Sequence, residues 1–117
     1  MARNEFAVEA EIQAKGLTAP RLTPLQISDQ IVGEEYAVFG GVLTVCVLTL
    51  QNGFMVTGES ACASPANFDV DLGQKIARNN ARDKIWALEG YHLRTMLALR
   101  RRQEPDFEAH NFCAPKE

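Results

Sequence analysis

The sequence predicts an α+β fold: an N-terminal helical arm, an antiparallel β-hairpin or three-stranded sheet, and one long C-terminal helix packed across it. Three observations predict it. The run "VLTVCVLTL" at 42–50 is rich in β-branched residues and has strand length. The following "QNGF" sets Asn52-Gly53 between two β-prone runs, a strong hairpin signal. From about Val70 to Gln103, apolar residues then recur at helical spacing.

Taken in order, residues 1–33 form the arm and a proline-containing linker, 34–103 the core domain, and 104–117 a tail. An amphipathic helix is predicted from Glu5 to Lys15, capped by Asn4 and stopped by Gly16. In "LTAPRLTP" two prolines exclude a regular element and give an extended linker. Thr23-Pro24 reads as N-cap and first helical position of a short helix reaching about Val32. Tyr36–Phe39 supplies a possible third strand, and Gly40-Gly41 permits the bend after it. Asn67 or Asp69 can cap the long helix, with Asp69 and Asp71 matching its positive end. Ala77, Ala81, Ile85, Leu88, His92, Met96 and Leu99 share one stripe, which predicts the face laid on the sheet. Small residues at 77 and 81 would let helix and hairpin approach closely. The tail has no periodicity, which predicts mobility.

Composition limits the function classes. A chain of 117 residues with 46% apolar and 23% charged residues supports one modest core. No apolar run approaches the ~20 residues that span a bilayer, so no membrane role is expected. The acidic N-terminus does not resemble a secretion signal. Three cysteines without a CxxC predict neither a disulfide framework nor a metal site, and suit a reducing cytosol.

The net charge of −3 is unevenly spread. Residues 75–102 hold eight basic and two acidic residues, a balance of +6, and the remainder sums to −9. An acidic remainder disfavours long nucleic acid, whereas a small phosphorylated ligand needs only a local positive pocket. Lys75, Arg78, Arg82 and Trp86 lie on a strip beside the core stripe, and neither arginine has an acid three or four residues away. Two partners could satisfy them. One is an acid from elsewhere in the fold, such as Asp69, Asp71 or Glu59. The other is an external anion, because guanidinium forks grip phosphate oxygens and an aromatic face stacks on a base. The candidate ligand-binding set is therefore Arg78, Asn79, Arg82, Trp86, Asn67, Lys75 and Arg94. On that reading, removing Arg82 would weaken binding and leave the fold intact.

Catalysis is not indicated. His92 falls in the apolar stripe and reads as a core histidine, Cys46 as a small strand hydrophobe, and Cys62 has no base placed to activate it. Neither a P-loop nor GxGxxG is present, and no catalytic residue, metal ligand or cofactor is assigned.

The stretches "LTVCVLTLQNGFMVTGESACASPANFD" and "GQKIARNNARDKIWALEGYHLR", with "KGLTAPRLTP" upstream, resemble the small tailed-phage and prophage proteins of the gene-49 (phage N-four) and gene-66 (phage Sf-six) product family. The resemblance covers most of residues 12–95 and implies a setting, the infected host cytoplasm, with no catalytic residues to carry over. One class of small phage accessory proteins sequesters cyclic nucleotides or cyclic ADP-ribose derivatives that bacterial immunity uses as signals. By analogy with that class, and because the strip has the arginine, asparagine and aromatic chemistry of its pockets, a non-catalytic binder of such a ligand is expected. The alternative is an inhibitor or adaptor docking a host or phage protein through the Arg/Trp strip. Apolar residues off the core stripe, among them Leu93 and Leu97, further predict a homo-oligomer.

Overall fold

The computed structural model describes residues 4–17 and 19–102. The tail at 104–117 and the end of the helix at Gln103 lie outside the described residues. Helix α1 spans Glu5–Ala14 and helix α2 Pro24–Gln30; strands β1 (Ile31–Phe39), β2 (Leu43–Leu50) and β3 (Met55–Ala61) follow, and α3 (Val70–Arg102) ends the order. The strands make one antiparallel sheet in the order β1-β2-β3.

Local chemistry explains most boundaries. Asn4 caps α1 by accepting from the Ala7 N–H at 3.2 Å, and Gly16 leaves the helix at φ +69°. Thr23 and Gln26 form a capping box around Pro24 at the start of α2. That helix stops at Gln30 instead of reaching Val32, because Ile31 already pairs with Leu50 across the sheet. The third strand is nine residues long and starts five before Tyr36. Pairing along β2 outweighs the weak strand preference of Gly33, Glu34 and Glu35. In the β2–β3 turn, Gly53 takes φ +91° and Asn52 Oδ1 accepts from Phe54 N–H at 3.0 Å. Asp69 caps α3 by accepting from Leu72 N–H at 3.1 Å.

The core lies between one sheet face and α3. Thr44, Cys46, Leu48 and Leu50 of β2, Val56 of β3, and Ala77, Ala81 and Ile85 of α3 are buried, joined by Ile27 of α2. Ala77 and Ala81 do bring the helix close, and Gly58 of β3 is their counterpart: a Cβ there would overlap Ala77 O and Ala81 N. Asn80 adds a bond from its amide to Glu59 O at 2.8 Å.

Three expectations are corrected. Only Ala77, Ala81 and Ile85 of the predicted stripe are buried; Leu88, Met96 and Leu99 are 39%, 50% and 41% exposed, and His92 is exposed rather than a core histidine. Length explains it: a helix of 33 residues runs ~50 Å, whereas strands of seven to nine residues reach only ~25–30 Å. Helix α1 is not amphipathic in use, since none of its residues is buried. The boundary at residue 33 also divides what packing unites, because Ile27 of α2 belongs to the core and Pro24 beside it is buried.

The opposite sheet face carries Leu43, Val45 and Val47 of β2, with Phe39 and Met55 beside them at 55% exposure each. Among the described residues, the helices that complete the core all lie on the other side.

Candidate functional site

Consecutive turns of α3 place Arg78, Arg82 and Trp86 on one ridge. Both arginines have acids from distant parts of the chain, so the absence of acids at helical spacing did not leave them unpaired. Arg78 Nε donates to Glu34 Oε2 of β1 at 2.9 Å on a half-exposed surface. Glu34 also accepts from the Tyr36 hydroxyl at 2.8 Å. The Arg78 bond, and then that of Tyr36, hold the Glu34 carboxyl below its ordinary range. Burial, with the bond to Glu34, pushes the Tyr36 phenol above its own.

Arg82 is buried, with 8% of its surface exposed. Its Nε lies 3.1 and 2.9 Å from Glu5 Oε1 and Oε2, and its Nη2 lies 2.7 Å from Oε1. The other edge of the guanidinium is fixed by Ser28 Oγ at 3.0 Å from Nη1 and by Pro24 O at 2.9 Å from Nη2. Trp86 Nε1 donates to Glu5 Oε2 at 3.0 Å, with its ring packed against the core. Glu5 is thus the acid that Asp69, Asp71 and Glu59 were expected to supply. This also corrects the expectation that Arg82 could be removed without structural consequence: it joins α1, α2 and α3.

These groups border a cleft of about 340 Å³ lined by Asn4, Glu5, Phe6, Ser28, Arg78, Asn79, Arg82 and Asp83. The cleft gathers Arg78, Asn79 and Arg82 of the predicted set, with Trp86 one turn on and bonded to the same carboxylate. It does not gather the rest. Asn67 sits in a 3-10 turn before α3 and borders a separate hollow of about 120 Å³. Lys75 and Arg94 are exposed on α3 and do not line the cleft. Arg94 lies about three turns beyond Arg82.

Sequence reasoning missed Glu5, Ser28 and Asp83. No local signal marks Glu5 or Ser28, which stand 77 and 54 residues from Arg82. Asp83 has one buried carboxylate oxygen, Oδ1, without a hydrogen-bond partner, so this wall has an unused acceptor. The cleft is thus lined by the guanidinium groups of Arg78 and Arg82, held by Glu34 and Glu5, together with the Ser28 hydroxyl and Asp83.

Among the described residues no His, Cys, Asp and Glu group could hold a metal ion, and no helix is long and apolar enough to cross a membrane. Cys46 is buried, and its thiol is pushed up by desolvation; Cys62 bonds its own loop through Ser64 O at 3.3 Å.

No curated protein and no solved structure matches the chain. The sequence pattern of one family does match, over residues 22–97, which takes in β1, β2, β3 and most of α3. The chain belongs to the phage protein (N4 Gp49/phage Sf6 gene 66) family.

Proposed function

We propose that this phage protein binds and sequesters, without catalysis, a small phosphorylated signal of the cyclic nucleotide or cyclic ADP-ribose type in the host cytoplasm, and so counters an anti-phage defence. The observation that carries this reading is the cleft at Arg78, Asn79 and Arg82. At about 340 Å³ it falls at the lower end of the range for small-molecule sites. Its Arg82 fork already grips an oxyanion, the Glu5 carboxylate, in the two-oxygen geometry that suits phosphate. Asp83, which has a buried carboxylate oxygen without a hydrogen-bond partner, lines the same cleft.

The test is a thermal-shift panel of cyclic di- and trinucleotides and cyclic ADP-ribose isomers. A ligand that raises the melting temperature, and is returned intact on heat denaturation, supports the reading. A cleaved ligand would make the protein an enzyme, and no shift with any member would remove the small-ligand reading.

A second reading is supported by the sheet face bearing Phe39, Leu43, Val45, Val47 and Met55, which the helices leave uncovered among the described residues. On that reading the protein docks a host or phage protein through this face rather than through the Arg/Trp strip. The same face suits a second copy of the chain, consistent with a homo-oligomer. A Val45→Lys variant that is monomeric, where the parent chain elutes as a dimer, and that still binds ligand would assign the face to self-association.

A further inference from the structure

We propose that Glu5 is a built-in occupant of the anion site, and that a phosphorylated ligand enters by displacing it together with the first turn of α1. The inference rests on the small-ligand reading above and concerns how that site is filled before ligand arrives.

The receiving side is organised without α1. Ser28 Oγ and Pro24 O fix one edge of the Arg82 guanidinium, and the Trp86 ring packs on the core. These groups leave the Arg82 Nε and Nη2 edge, together with the Trp86 N–H, aimed at one point. Glu5 supplies the two oxygens found there. Ser28 and Trp86 thereby join Arg82 as residues of the site, Ser28 by orienting the fork and Trp86 by donating to the bound oxygen.

The occupant is carried on an element that can leave. No residue of α1 belongs to the buried core, so its departure removes no core side chain. The chain leaves the helix through Gly16 in a left-handed conformation, and the Glu9 carboxylate also ties the helix down, accepting from Arg21 Nη1 and Nη2 at 2.6 and 2.8 Å. Glu5 also lies outside the residues that match the family, whereas Arg82, Trp86 and Ser28 lie within them. A carboxylate brings one negative charge to the fork and a pyrophosphate brings more, so the ligand competes by charge against an occupant held at high effective concentration.

The experiment titrates inorganic pyrophosphate into the full chain and into Glu5→Gln, Glu9→Gln and Arg82→Ala by calorimetry, with a melting curve for each. Glu5→Gln keeps the side-chain shape and removes the charge. It is expected to melt cooperatively and to bind pyrophosphate about tenfold tighter than the parent chain, the worth of one charge-assisted bond. Glu9→Gln, outside the cleft, loosens the arm and is expected to tighten binding by a smaller factor, and Arg82→Ala to abolish it. Equal affinity of the parent chain and Glu5→Gln would overturn the built-in occupant and leave the cleft standing. Absence of binding in both would overturn the occupant and the small-ligand reading together. Loss of cooperative melting in Glu5→Gln would make the contact part of the scaffold, and would overturn the proposal.

Discussion

Cys46, Leu48, Ala77, Ala81 and Ile85 exclude solvent completely where α3 crosses the sheet, whereas no residue of α1 is buried. The first region is held by apolar contact at close range, with Gly58 admitting the helix backbone. The second is held by charge: Glu5 on Arg82 and Trp86, and Glu9 on Arg21. Apolar burial is indifferent to pH and little weakened by salt, while ion pairs respond to both. The arm is therefore expected to respond to pH and salt under conditions that leave the core intact, as the proposed displaceable cover requires.

The largest effect is expected from breaking the core side of this comparison. In Gly58→Val the new side chain would meet the Ala77 and Ala81 backbone, so α3 must lift away from β3. Destabilisation of ~3 kcal/mol or more is expected in urea melts, with α1 unaffected as its cause. A variant as stable as the parent chain would mean that the helix does not rest on Gly58.

Next comes the junction between the regions. Arg82→Ala removes the ties to Glu5, Ser28 and Pro24, but Glu5 can then turn to water with its exposed helix. The expected loss is ~2 kcal/mol, below that of a pair trapped in a core. Arg78→Ala, on the half-exposed pair with Glu34, should lose under ~1 kcal/mol. Equal losses in the two variants would remove the distinction between a junction and a surface pair.

The smallest effect is a pH dependence. Arg21, and then Gln13, hold Glu9 at a pKa of about 2, against 4.5 for a free glutamate. Between those values the unfolded chain binds more protons than the folded one, so stability falls as pH falls through that window. Glu9→Gln should remove this component from the dependence of melting temperature on pH, without altering the profile above pH 5. An unchanged profile below that would detach Glu9 from the stability of the arm.

The sequence revealed much of the fold because its signals are local. Asn4, Thr23-Pro24 and Asp69 cap helices through bonds to residues three ahead, and Asn52-Gly53 turns the hairpin within four residues. The extent of β1 was hidden, since Gly33, Glu34 and Glu35 are strand residues only through pairing with β2. The candidate site was half legible. The ridge of Arg78, Arg82 and Trp86 follows from helical spacing, and Asn79 stands beside it. Their acids could not be found that way, because Glu34 and Glu5 approach from β1 and α1 only once the chain has folded. Asn67, Lys75 and Arg94 shared the chemistry of the site without sharing its place.

The central claim, a charge-held arm over an anion-binding cleft, is tested most directly by amide hydrogen exchange in the unaltered protein. Millimolar sodium pyrophosphate is compared with sodium chloride at matched ionic strength, following amides of α1 and of β2. The account predicts that pyrophosphate speeds exchange across Val8–Ala14 well beyond chloride and leaves Thr44–Leu50 as slow as before. Identical exchange of α1 in the two salts would show that screening alone loosens the arm, and would contradict the claim.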